Sequence, residues 1–182
     1  MIFEDKIIIL KDGNKAIFKS PSIEDTEKML SYIKKSCEET NFLARFPEEW
    51  DYVTVEQEKS WIERLRSSQS SVAISCYIDG EIAGNCEINF KGSKKTSHRS
   101  TVAIAILKKY WNLGIGTKMF EELIDIANKQ GVEIIELQYI EGNERAKKLY
   151  EKFGFIQVAV IPKAFKLKDG TYQAEIYMQK YL

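Results

Sequence analysis

Apolar residues recur along the chain in two periods, and the period assigns each element. SVAISCYI (71–78) and EIAGNCEINF (81–90) are rich in residues suited to strands and are joined by Asp79-Gly80. That dipeptide tolerates the positive φ of a tight turn, so the two runs predict a hairpin. STVAIAILK (100–108) is apolar on both faces, which predicts a central strand. VEIIELQYI (132–140) predicts another. FIQVAVIPKAFKL (155–167) and TYQAEIYMQKYL (171–182) flank Asp169-Gly170 and predict a closing hairpin. Near the start, KIIIL and KAIFKS flank the turn signal KDGN and read as a hairpin or a kinked strand.

Other stretches carry the helical period. In residues 22–39, Ile23, Leu30, Ile33 and Cys37 share one face, and Ser22 with Asp25 resembles a capping box. Thr54 with Gln57 is a second capping box, opening VEQEKSWIERLRSS. A helix over about 116–130 buries Met119, Phe120, Leu123, Ile124 and Ala127 and stops at Gly131. NERAKKLYEKF (143–153) predicts the last helix, ended by Gly154. The order is β, α, α, β, β, β, α, β, α, β, β. This is an α/β (α+β) pattern, a mixed sheet with helices on both faces. No linker, repeat or low-complexity tract divides residues 1–182, which read as a single domain.

Lys plus Arg number 27, as do Asp plus Glu, so the formal net charge is zero. General nucleic-acid binding, which needs a basic excess, finds no support. Cys37, Cys76 and Cys86 have no C-x-x-C spacing, and His98 is the lone histidine. A metal site is therefore not expected, and the thiols read as reduced core residues. The start, MIFEDKIIIL, has acidic residues where a signal peptide has basic ones, and its apolar run is too short for a membrane span. A cytoplasmic protein without a membrane partner is the expectation.

YWNLGIGTKMFEEL (110–123) brings chemistry into the pattern. A strand leads into Gly114 and Gly116, and a helix follows. Free N–H groups at a helix start, the helix dipole and close backbone approach over glycine together make an anion site, most naturally for phosphate. Met119 stands where a dinucleotide fingerprint needs its third glycine, and no G-K-S/T follows for a P-loop. An empty tight turn is the remaining alternative.

The stretch resembles the acyl-CoA-binding motif of the GNAT acetyltransferase superfamily, Q/R-x-x-G-x-G/A at a helix start, with Trp111 in place of Gln or Arg. NERAKKLYEKFGF (143–155) resembles the later N-x-x-A-x-x-L-Y-x-x-x-G-F signature. Asn143, Ala146, Leu149, Tyr150, Gly154 and Phe155 fill every named position. The resemblance covers about residues 15–180. The closing hairpin is similar to that of the ribosomal-protein N-terminal and spermidine acetyltransferase-like branch.

The resemblance implies a GNAT fold, a mixed, mostly antiparallel sheet whose central strands splay apart. It implies an N-acetyltransferase that uses acetyl-CoA as co-substrate and no metal. Trp111, Asn112, Leu113, Gly114, Ile115, Gly116 and Thr117 would cradle the pyrophosphate. Free backbone groups near Ile104 and Ile106 would pair with pantetheine, and Asn143 would contact the coenzyme or simply cap its helix. Tyr150 matches the general acid that protonates the departing thiolate.

The general base has no direct match, because Thr101 and Gln138 stand where many relatives carry a strand carboxylate. Glu87, Glu141 and His98 are the candidates, with Glu87 acting through a water favoured. The loop ETNFLARFPEEWDY offers Phe42, Phe46, Trp50 and Tyr52 with Glu48, Glu49 and Asp51, which suits a cationic amine. The acceptor would be a small-molecule amine or a peptide N-terminus. The closing hairpin could give a homodimer its sheet edge. Transfer of a longer acyl chain and an acyl-CoA-binding sensor without turnover are the alternatives.

Overall fold

A computed structural model describes all 182 residues. The N-terminal apolar runs form a true hairpin, β1 (Lys6–Ile9) and β2 (Lys15–Lys19), paired in antiparallel register. Two helices follow, α1 (Thr26–Glu38) and α2 (Val55–Ser67). Then come β3 (Ser71–Ile78), β4 (Glu81–Phe90) and β5 (Arg99–Ile106). Helix α3 (Ile115–Lys129), β6 (Ile134–Ile140) and α4 (Glu144–Lys152) lead to the closing hairpin of β7 (Ile156–Lys166) and β8 (Tyr172–Tyr181). All eight strands join one sheet in the order β1-β2-β3-β4-β5-β6-β8-β7. Every pairing is antiparallel except β5 with β6. No helix is long and apolar enough to cross a membrane.

Strand alternation places helices on both faces of the sheet. Cys86, Ile88, Val102, Ile135 and Leu137 point to the side of α3 and α4, where they pack with Met119, Phe120, Leu123 and Tyr150. Tyr77 and Ile82 meet Met29 and Tyr32 of α1 on the other side. The three cysteines are free and buried.

Two details of the helical pattern differ from expectation. The Ser22–Asp25 box is present, but it closes a 3₁₀ turn over Ile23–Asp25 rather than the first turn of α1. Ile23 is therefore exposed; Met29 and Tyr32 meet the sheet with Ile33 packed beside them, and Cys37 is buried as expected. Tyr32 takes that place because its ring is apolar and its hydroxyl finds the carbonyl of Ala105 at 2.7 Å. In α3, Ile124 lies at the margin and is only partly buried, while the other four expected residues are core.

The centre of the α3–α4 layer is aromatic. The Phe120 ring lies 5.5 Å from Tyr150, 5.3 Å from Phe153 and 5.7 Å from Phe155, centroid to centroid. This cluster fixes α4 against α3 and holds Tyr150 in place. Phe120→Ala should cost about 3–5 kcal/mol, the range for emptying a buried phenylalanine site. Urea unfolding monitored by circular dichroism measures it, and a loss under about 1 kcal/mol would show that the cluster is not a core element.

Candidate active site

The parallel pair β5–β6 is registered over only three rungs, Arg99–Ile134, Ser100–Ile135 and Thr101–Glu136. Beyond Thr101 the strands part. Leu107 N–H donates to Ala83 and Lys91 N–H to Arg99. By alternation the odd-numbered residues of β5 face β4, so the backbone of Ile104 and Ile106 faces the gap. Glu141 N–H donates to Ala174, which likewise turns Gln138 into the gap from β6. Just below the split, the Glu136 carboxylate accepts hydrogen bonds from Arg99 on β5 and Gln179 on β8. Burial opposes the charge of Glu136, but these bonds outweigh it and hold its carboxyl below the ordinary range.

The gap opens into a cleft of about 890 Å³. At one end β5 runs through a short turn into α3. Gly114 is the N-cap of α3 at φ 89°, a left-handed conformation, and no side chain caps the helix. The first intrahelical bond in the ladder is Lys118 N–H to Gly114, so the N–H groups of Ile115, Gly116 and Thr117 are left for a ligand. No acidic residue occupies this first turn. A Cβ on Gly116 would lie 3.0 Å from Leu149 Cδ2 and 3.3 Å from Ile106 Cδ1. Gly116 thus lets α3 seat against α4 and β5, and it is Gly114 that the turn's conformation requires.

Around this end stand four cations, Lys11, Arg145, Lys148 and Lys152. Arg145 donates to Asn112 Oδ1 at 2.7 Å and lies 4.3 Å above the Trp111 ring. Lys152 donates to Thr117 Oγ1 at 3.2 Å. The Trp111 indole N–H reaches the carbonyl of Ile106 at 2.7 Å, bracing the free end of β5. A helix start with unpaired N–H groups, ringed by cations, fits a pyrophosphate. Three carboxylates also line the cleft: Glu39 after α1, whose Oε2 accepts from Lys108 N–H at 2.6 Å, Glu144 at the start of α4, and Glu175 on β8, together with Phe42 and Phe165.

Of the expected ligand-binding residues, Ile104, Ile106, Trp111, Asn112, Gly114, Ile115, Gly116, Thr117, Asn143 and Tyr150 all line this one cleft, and Leu113 does not. The Leu113 carbonyl instead accepts from Lys11 N–H at 3.0 Å, and its side chain packs on the core. Asn143 caps α4, accepting from Ala146 N–H at 3.2 Å, while still facing the cleft. Tyr150 is 6% exposed, and its hydroxyl has no protein partner among the hydrogen bonds. Burial pushes its phenol well above the usual range, so the proton stays on.

The candidate bases fall in separate places. Glu87 does not line the cleft, but it pairs across the sheet with Ala103, which does. Burial raises its carboxyl above the ordinary range, against a hydrogen bond from Asn89. Glu141 is exposed beyond the end of β6, and its carboxylate accepts from Ala174 N–H at 3.3 Å. His98 precedes the paired end of β5. At about 3.3 Å per residue it is roughly 25 Å from Ile106, so it does not reach the gap. In the aromatic loop only Phe42 among the named residues enters the cleft. Tyr52 is 84% exposed, Glu48 pairs with Lys168, and Asp51 pairs with Lys34.

Sequence reasoning missed the cations and the carboxylates that line the cleft. Arg145, Lys148 and Lys152 share a stripe of α4 at i, i+3, i+7, so a signal for them existed. Lys11 comes from the β1–β2 turn and Glu175 from β8, and neither carries a local signal. No group of three or more His, Cys, Asp or Glu is placed to hold a metal ion.

Residues 35–155 match the Acetyltransferase (GNAT) family. Among curated proteins, the L-amino acid N-acetyltransferase AaaT of Escherichia coli (strain K12) is 28% identical over 121 residues, 66% of this chain and 74% of the relative. Among solved structures, a GNAT-family acetyltransferase from Streptococcus pneumoniae has a TM-score of 0.83 at 23% identity, covering 92% of this chain and 99% of that one. The structure of yncA from Salmonella typhimurium, with its cofactor acetyl-CoA, has a TM-score of 0.76 at 16% identity, covering 91% and 92%. With the family match spanning β3 to β6 and both glycine-bearing helix junctions, the chain belongs to the GNAT acetyltransferase family and is an acetyl-CoA-dependent N-acetyltransferase.

Proposed function

We propose that the protein moves the acetyl group of acetyl-CoA to a primary amine, of a small molecule or of a protein N-terminus, by direct attack in a ternary complex. The observation that carries this reading is the uncapped start of α3, with its free N–H groups, opening with four cations into the gap between β5 and β6. The uncapped start of α3 with Lys11, Arg145, Lys148 and Lys152 takes the pyrophosphate. The pantetheine arm lies along the backbone of Ile104 and Ile106, whose N–H groups face the gap and polarise the thioester carbonyl. The amine enters from the α1–α2 side, where Glu175 and Glu39 offset its charge. Similarity to an L-amino acid N-acetyltransferase supports a small amine. The two reactants meeting across one gap removes much of the entropic barrier.

Two groups handle protons in this proposal. Tyr150 donates to the departing thiolate from its place between α4 and the gap. Glu87 takes the ammonium proton through a water beside Ala103, whose small side chain leaves room for one. The free edge strand β7, with Ile156, Val158 and Val160 about half exposed, supports a homodimer built on the closing hairpin. Thiol release from acetyl-CoA, screened across amine classes, tests the reaction itself. The reading fails if no primary amine raises release above the rate of hydrolysis.

Thr117→Asp separates a ligand-binding helix start from a structural one. A carboxylate there suits the helix dipole, so stability should hold or rise by about 0.3–1 kcal/mol. The same charge competes with the pyrophosphate, so coenzyme A affinity should fall at least about tenfold by calorimetry. Unchanged affinity would place the coenzyme elsewhere.

Tyr150→Phe keeps the ring and its packing and removes only the proton. kcat should drop by about 10²- to 10⁴-fold, the scale of acid catalysis, with coenzyme A affinity nearly unchanged. Wild-type turnover would return Tyr150 to a packing role.

For Glu87→Gln the rate and the stability should move differently. kcat/KM should fall by about 10²-fold or more and lose the acidic limb of its pH profile. The folded-state carboxyl is raised, so its contribution to stability is greatest below the unfolded value and is lost as pH rises through the folded value. At neutral pH the amide should therefore be as stable as the wild type or more so. A wild-type rate and profile would remove Glu87 from the mechanism.

A further inference from the structure

Helix α1 reaches β5 from behind the cleft. The Tyr32 hydroxyl donates to the carbonyl of Ala105 at 2.7 Å. Tyr32 is buried and does not line the cleft. Its ring packs with Met29, Tyr77, Ile82 and Leu107, and its own carbonyl accepts from Ser36 Oγ at 2.8 Å. Burial pushes its phenol well above the usual range, so the hydroxyl keeps its proton and remains a donor.

The Ala105 carbonyl shares one peptide unit with the Ile106 N–H. The unit is planar and trans, so the two groups point in opposite directions. Leu107 N–H donates to Ala83, and Ala105 pairs with Asn85 in the same antiparallel ladder. The Ala105 carbonyl therefore faces β4, and the Ile106 N–H faces the gap. A carbonyl oxygen has two lone pairs, of which the β4 ladder takes one and Tyr32 the other. The next peptide unit is held at both ends. Its Ile106 carbonyl accepts from the Trp111 indole at 2.7 Å, and its Leu107 N–H donates to Ala83 at 3.0 Å. Of the four groups in these two units, three are engaged by the protein, and the fourth, the Ile106 N–H, is directed at the gap. A hydrogen bond received by an amide oxygen polarises the amide and strengthens its N–H as a donor.

We propose that Tyr32 is a positioning residue for acetyl transfer: its hydroxyl fixes and polarises the Ala105–Ile106 peptide unit, whose N–H stabilises the thioester oxygen as the amine attacks. This role rests on the reading that the Ile106 N–H polarises that carbonyl. Tyr32 touches neither reactant and acts only through the peptide unit. The oxygen carries most charge in the transition state, so the effect falls on turnover and little on coenzyme binding.

Tyr32→Phe tests it. The ring keeps its packing and Ala105 keeps its ladder bond, so no polar group is orphaned and the fold should hold by circular dichroism. kcat should fall by about 3- to 10-fold, a fraction of the loss on removing an oxyanion donor outright. KM for acetyl-CoA should stay unchanged. The second readout is the infrared stretch of bound acetyl-CoA labelled with ¹³C at the thioester carbonyl. Binding to the wild type should lower this frequency, and Tyr32→Phe should return it towards the free value. Tyr32→3-fluorotyrosine keeps the shape and makes a stronger donor, so it should lower the frequency further and raise kcat, even if the phenylalanine variant does not fold. A wild-type frequency and kcat in the folded variants would overturn the role. A raised KM with unchanged kcat would also overturn it, since that is the mark of packing alone. If acetyl-CoA binds the wild type without lowering the stretch or moving the Ile106 ¹H–¹⁵N signal, the reading of Ile106 itself fails, and the role of Tyr32 falls with it.

Discussion

Three rungs of parallel pairing hold β5 to β6, and everything functional depends on their stopping there. Had the ladder continued, Ile104, Ile106 and Gln138 would spend their backbone groups on each other. The sheet would then be continuous and would have no cleft. The Arg99–Glu136–Gln179 cluster ties β5, β6 and β8 together on the paired side. Beyond it, α3 and α4 arise directly from the two diverging strands and meet on one face, where Gly116 admits Leu149 and Ile106. Unpaired backbone is costly when buried without water or ligand. A cleft that exposes such groups is a place where a ligand supplies the missing partners.

Charge in this protein is distributed rather than absent. The formal net charge is zero, yet four cations gather around the start of α3 in the cleft. That arrangement suits an anionic co-substrate. Whole-chain charge describes solubility and long-range steering, and it is silent on such local separation. The cations gather here from two remote parts of the chain, the β1–β2 turn and the stripe on α4.

What was legible in the sequence was what is local. The strand runs, the Asp-Gly hairpins, the Gly114 turn and the Asn143 cap each depend on neighbours a few residues away, and the periods and turn residues reveal them. The signature around Tyr150 brought the cleft's other wall with it. What was not legible depends on the sheet order. Glu175 reaches the cleft because β8 inserts between β6 and β7, which no local pattern encodes. The stripe of α1 was legible in part: Cys37 is buried and Ile33 packs beside Tyr32, but Ile23 lies in a 3₁₀ turn that the capping box closes, and Tyr32 takes the place expected of Leu30 with one hydrogen bond. Gly116 was legible as a glycine but not as a packing contact, since Leu149 lies a full crossover away.

The proposed acid raises a question of driving force. A phenol is a weaker acid than a thiol in water, with values of about 10 and about 8.5. Burial widens the gap by raising Tyr150 further. Taken alone, complete proton transfer to a departing thiolate would run uphill. In the proposed reaction the thiolate would form in the same gap and be desolvated by the same walls. Desolvation destabilises both anions and raises both proton affinities together. The relevant comparison is therefore between two buried anions, and the difference between them is smaller than either shift. The rings of Phe120, Tyr139 and Phe155 surround that of Tyr150. The proton of Tyr150 is thus held until a negative charge appears in front of it, which is when an acid is needed and not before.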